Sequence, residues 1–230
     1  MQSKTFLTSR TARYYSLGEP GPDIRHVWFC LHGHDQPLPG FAAQLAPLDT
    51  PERLLILPEG LARYDRPALP PATRQDTVAA WFAATTLLPD LHDLTLYLDA
   101  LAAQVLAGCP PRTPVTVLGY GHGAAAACRW LATSAIIYDR LVLYAAVFPP
   151  EINRRATLAG LPRRPVAVVA TTADVYTPEA AGEGLVQDLR EAGLTAYLRH
   201  VSDGPITLAA LGAGAEATPP APDAASRSGE

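Results

Sequence analysis

The chain has 230 residues, 48% apolar and 17% charged, with a net charge of −4 whose signs are interspersed. This is a globular composition with no clustered basic face of the kind nucleic-acid binding needs. No run reaches the roughly 18 apolar residues of a membrane span. Met1 to Arg13 carries Lys4 and Arg10 and lacks an apolar h-region, so it does not read as a secretory signal, and a cytoplasmic protein is expected. His26–Leu31 is a short apolar run that predicts a strand leading into His32-Gly33, and Leu54–Leu57 predicts a second, stopped by Pro58. Asp65–Ala80 is rich in proline and polar residues and predicts a long loop shaping a cleft. Asp90–Leu106 keeps Leu91, Leu94, Leu98, Leu101 and Val105 at helical spacing. Val115–Leu118, Leu141–Tyr144 and Val166–Val169 are further strands, while Ala124–Leu131 and Glu179–Ala192 are helical. Continuous apolar strands alternating with amphipathic helices predict a doubly wound, mostly parallel α/β sheet covered on both faces. A single domain over residues 1–211 follows, with 212–230 a disordered tail of Ala, Pro, Gly, Ser and Glu.

The strand ending at Leu118 runs into Gly119-Tyr120-Gly121-His122-Gly123 and then an Ala-rich helix. A sharp strand-to-helix turn needs small residues on either side of its apex, and G-x-S-x-G turns carry a nucleophilic serine there. Here both outer glycines are present and Gly121 occupies the apex. The turn lacks the third glycine of G-x-G-x-x-G, and no acidic residue stands about twenty positions on, so a dinucleotide fingerprint is not indicated.

Several pieces in order resemble the phospholipase/carboxylesterase branch of the α/β-hydrolases, the small serine esterases. They are Val27–Gly33, Pro58–Tyr64, Leu96–Asp99, Val117–Leu131 with its Cys128-Arg129-Trp130-Leu131, Phe148-Pro149-Pro150 and Asp174–Pro178. The resemblance spans Tyr14 to Leu211 and implies a sheet of the α/β-hydrolase type. It also implies that Gly121 stands in the nucleophile position, Asp174 in the triad-acid position and Gly204, within Ser202–Ile206, in the histidine position. The backbone N–H groups of His34 and His122 are implied as the oxyanion hole, and Trp81 and Tyr120 as cleft lining. With two of three triad positions empty, turnover by the serine route falls by on the order of 10⁶.

Other residues offer weaker chemistry. The His122 side chain is expected to point away from the cleft. His34 and Asp35 could activate water if they faced each other, but adjacent residues seldom do, and a solvated loop pair is the simpler reading. His200 is expected at a rim, and Asp174 could equally cap the helix beginning near Pro178. The histidines show no HxH or HExxH spacing, so neither metal nor cofactor is expected. Cys30, Cys109 and Cys128 form no CxxC pair and read as inert thiols.

The expected function is thus an esterase-like pseudoenzyme without nucleophile or triad histidine, binding a small acyl or carboxylate ligand or a protein partner. Two alternatives stand beside it: a weak or non-standard ester or thioester hydrolase, and a structural or interaction domain with a filled cleft.

Overall fold

The computed structural model describes residues 2, 4, 6–66, 76–171, 179–202 and 204–212. Asp174 and the tail from residue 213 lie outside the described residues, as do the expectations that fall on them. The strands are β1 (Tyr14–Leu17), β2 (His26–Leu31), β3 (Arg53–Pro58), β4 (Ala62–Arg66), β5 (Asp76–Ala80), β6 (Val115–Tyr120), β7 (Arg140–Tyr144), β8 (Val166–Thr171) and β9 (Ala196–Val201). The α-helices are α1 (Leu38–Leu45), α2 (Leu87–Ala107), α3 (His122–Thr133), α4 (Arg154–Ala159), α5 (Glu179–Glu191) and α6 (Leu208–Leu211).

Side-chain alternation along the buried strands sorts the core into two layers. In β2, Val27, Phe29 and Leu31 join one cluster with α2, α3 and α5, while Trp28 and Cys30 join the other with α1 and α6. Leu54 and Ile56 of β3 follow the first face and Leu55 and Leu57 the second. Both faces of the sheet are therefore covered, which is why its strands read as continuous apolar runs.

The seven strands lie in the order β1-β3-β2-β6-β7-β8-β9. β1 is antiparallel to β3, and every other pairing in that sheet is parallel. From β2 the chain adds β3 on one side, and from β6 it builds outward on the other. The order reverses between β2 and β6, which pair through Leu31 and Gly119 at their carboxyl ends. In open parallel sheets such a reversal leaves a crevice where ligands bind. His32-Gly33 and Gly121-His122 leave the sheet there.

One sequence expectation is corrected. Residues 65–80 are not a loop throughout: β4 and β5 form an antiparallel hairpin, pairing Ala62 with Ala80 through Arg66 with Asp76. All of β4 is exposed, so no buried apolar run marks it in the sequence. The base of the hairpin closes tightly on the turn that follows β3, since a Cβ at Gly60 would lie 2.7 Å from the Ala80 carbonyl carbon.

The amino-terminal strand is pinned by an ion pair. Glu59, 3% exposed, accepts from Arg13 Nε at 2.9 Å and Nη2 at 2.6 Å, and the Tyr97 hydroxyl donates to the Arg13 carbonyl. Arg13→Ala leaves the buried carboxylate with Arg63 at 3.7 Å. We expect a loss of about 2 kcal/mol by urea unfolding, discounted from the buried-pair range because Arg13 is half exposed.

Candidate functional site

The elbow is built by steric exclusion at its flanks. A Cβ on Gly119 would sit 2.5 Å from the Gly123 carbonyl oxygen, and one on Gly123 would sit 2.5 Å from that of His32 and closer still to that of Leu31. Only glycine lets β6, β2 and the start of α3 approach this closely.

The apex differs. Gly121 has φ 54° and ψ −123°, a conformation strained for any residue with a side chain. Its backbone is held from both directions: its N–H donates to the Tyr144 carbonyl at 3.0 Å, and its carbonyl accepts from Val147 at 3.0 Å and Ala124 at 3.1 Å. Yet a Cβ there would meet only Gly33 Cα, at 3.5 Å, among the described residues. Among the described residues, then, the apex has room for a Cβ.

The facing loop is set by His32. This fully buried ring places Nδ1 2.6 Å from the Gly33 carbonyl and accepts at Nε2 from the Gly60 N–H at 3.1 Å. Accepting at Nε2 assigns the proton to Nδ1. Burial lowers the ring's pKa to about 4, with the Gly33 carbonyl and Glu59 opposing only part of that shift. Because a trans peptide sets C=O and N–H on opposite sides, fixing the Gly33 carbonyl also fixes the direction of the His34 N–H. That N–H finds no acceptor among the described residues. The Gly33 N–H donates to Gln36 Oε1 at 2.7 Å, Gln36 donates to Gln44 Oε1, and the Gln44 carbonyl accepts from Ile206. This chain of bonds ties the loop containing Gly204 to the mouth of β2. Gly204 has φ 154°, and a Cβ there meets no atom within 4 Å among the described residues, but any side chain would carry backbone strain.

The structure brings together two of the candidate histidines. The His34 and His122 rings lie 5.1 Å apart, and Phe82 stacks on His122 at 6.4 Å. His122 therefore points toward the facing loop, not away from it as expected. Burial holds its pKa below the ordinary range and His34 adds to this, against Asp35 and Glu151. The expectation for His34 and Asp35 is corrected in part: they face each other, with His34 Nε2 3.2 Å from Asp35 Oδ1, while both side chains remain solvated, 47% and 35% exposed. The reason is conformational, since Asp35 adopts φ 55° and turns its carboxylate back over the preceding ring. The Tyr64 hydroxyl donates to the same Oδ1, and Arg66 donates to the Asp35 carbonyl at 3.4 Å. Burial and the Asp35 carboxylate push the Tyr64 phenol up to about 12, so it stays a donor.

Trp81, expected along the cleft, is a core residue. It is 5% exposed, its indole N–H donates to the His32 carbonyl at 2.8 Å, and its ring lies 4.7 Å from that of His32. The neighbouring Phe82 is half-buried and stacks on His122 instead. Tyr120 is half buried, stacked on Tyr144 at 5.4 Å. His200 is exposed on β9, paired with Ala170. Cys30 and Cys128 are buried, and burial pushes both thiols up. No group of three or more His, Cys, Asp or Glu among the described residues is placed to hold a metal ion. No described helix is long and apolar enough to cross a membrane. Sequence reasoning missed Gln36, Tyr64, Arg66 and Phe82, although Tyr64 lies within one of the motif segments.

The fold is that of the esterase-type α/β-hydrolases. Esterase PE8 superimposes with a TM-score of 0.61 at 17% identity, covering 88% of this chain and 95% of its own. A phospholipase/carboxylesterase from Dyadobacter fermentans gives 0.58 at 13% identity, covering 89% and 95%. Est1E from Butyrivibrio proteoclasticus with ferulic acid bound gives 0.58 at 13% identity, covering 83% and 85%. No protein-family model matches the sequence. No curated protein matches it either.

Proposed function

We propose that this protein holds a small acyl- or carboxylate-bearing molecule in an esterase-type cleft and forms no serine acyl-enzyme. It is a pseudoenzyme with respect to the serine mechanism, carried by residues 1–211. Asp174 is the triad-acid position and Gly204 the vacant histidine position. The observation that carries the reading is Gly121: the elbow has its strained apex and open space but no nucleophile. The backbone N–H groups of His34 and His122 are the oxyanion donors in this reading, on either side of the reversal in strand order. The three free cysteines agree with a cytoplasmic setting.

The room for a Cβ at Gly121 among the described residues counts against a side chain packed directly onto the apex. A second reading, hydrolysis by a residue other than serine, is favoured by the contact between His34 and Asp35.

Ferulic acid is a suitable probe because Est1E binds it in the same fold. We expect the full chain to remain unlabelled by a fluorophosphonate, which requires an activated serine. We also expect ferulic acid to raise its Tm, since a ligand at about 100 times its Kd stabilises a fold by roughly 2.7 kcal/mol. Stoichiometric serine labelling refutes the missing-nucleophile reading. No thermal response to ferulic acid or to a series of short carboxylates refutes the binding reading in favour of a structural domain.

A further inference from the structure

We infer that His34, oriented by Asp35, is a general base that delivers water directly to an acyl carbon held over Gly121. The inference rests on the proposed acyl site and gives it a chemistry. Three placements carry it. The Asp35 carboxylate lies 3.2 Å from His34 Nε2, a charge contact rather than a hydrogen bond, and its negative charge favours a proton on Nε2 and leaves the Nδ1 lone pair as the base. Tyr64 donates to the same carboxylate oxygen and Arg66 to the Asp35 carbonyl, so the orienting residue is itself held. The backbones at Gly33 and Gly121 run side by side: a Cβ at Gly121 would lie 3.5 Å from Gly33 Cα, beside the loop that carries His34.

The substrate class is a small activated carboxylic ester or thioester. As the water oxygen bonds to the acyl carbon, its proton passes to His34 Nδ1 and the carbonyl electron pair moves onto the oxygen facing the His34 and His122 N–H groups. When the carbonyl re-forms, the bond to the leaving group breaks, and the imidazolium returns the proton to the departing alkoxide or thiolate. Ester and water become acid and alcohol, with no covalent intermediate. The His122 ring lies 5.1 Å from that of His34 and is backed by Phe82.

The test is p-nitrophenyl acetate turnover by the full chain, compared with His34→Ala, Asp35→Asn and His92→Ala. His92 is exposed on α2 and reports catalysis by any surface imidazole. His34→Ala keeps the backbone N–H and removes only the base, so a fall of about 10²-fold or more is expected. Asp35→Asn is the second variant, because asparagine tolerates the positive φ at this position; it should lower kcat with KM little changed. Wild type should turn over without a burst, more slowly in D₂O, and His34→Ala should lose that slowing. Equal rates for wild type and either active-site variant overturn the inference, as does a captured acyl-enzyme. If wild type shows no turnover while ferulic acid still binds, the inference falls and the binding reading stands; if ferulic acid does not bind either, both fall.

Discussion

Gly123→Ala is expected to destabilise the protein by on the order of 3 kcal/mol or more, at the upper end for forced overpacking. The added methyl would be driven onto the carbonyl oxygens of Leu31 and His32, which belong to the end of a central strand and cannot rotate aside. Gly121→Ala, two residues earlier, meets only Gly33 Cα at 3.5 Å and faces a different penalty, the strain of φ 54°. That cost is about 1–3 kcal/mol. Urea unfolding of both variants should therefore rank Gly123→Ala as the more damaging. The reverse order would mean that the flanking glycines do not make the elbow.

Acid should weaken the fold through His32. In the unfolded chain this ring takes up a proton near pH 6.5; in the folded chain it does so only near pH 4. Above pH 6.5 both states are neutral and the contribution is complete. Between pH 6.5 and 4 the unfolded state binds the proton first, so stability falls, and below pH 4 this group causes no further loss. The total is about 3 kcal/mol. Other groups titrate in the same window, so the readout is a difference: wild type should lose more stability between pH 7 and pH 4 than His32→Asn. Asparagine can still donate to the Gly33 carbonyl but carries no proton to gain. Parallel pH profiles for the two proteins would show that His32 is not held neutral by its burial.

Most of the sheet was legible because both of its faces are covered. β2 was read with its observed ends, and β3, β6, β7 and β8 were each placed within two residues, since buried parallel strands write themselves as unbroken apolar runs. The hairpin was not legible. Arg63, Tyr64, Asp65 and Arg66 lie on an exposed ribbon with no apolar alternation, and the prolines between its strands dominate the composition. The elbow at Gly119–Gly123 could be read as a motif because close backbone approach demands glycine at fixed offsets. The relation between His34 and Asp35 could not, because adjacent side chains ordinarily diverge; only the φ of 55° at Asp35 brings them together. Trp81 and Phe82 are adjacent aromatics, and sequence could not tell which one turns inward. Tertiary hydrogen bonding decided it, through the indole N–H and the His32 carbonyl.

The open apex also has a genetic meaning. A glycine codon ending in a pyrimidine becomes a serine codon by a single base change, whereas glycine to histidine requires two. At Gly121 the new Cβ would meet only Gly33 Cα, at 3.5 Å, among the described residues, on a backbone already held at φ 54°. Gly204 is farther away on both counts, since its φ of 154° opposes any side chain before a base can be placed there. Where the Gly121 codon ends in a pyrimidine, a lineage carrying this chain stands one mutational step from a hydroxyl at its elbow, beside the loop that carries His34 rather than within a rebuilt triad.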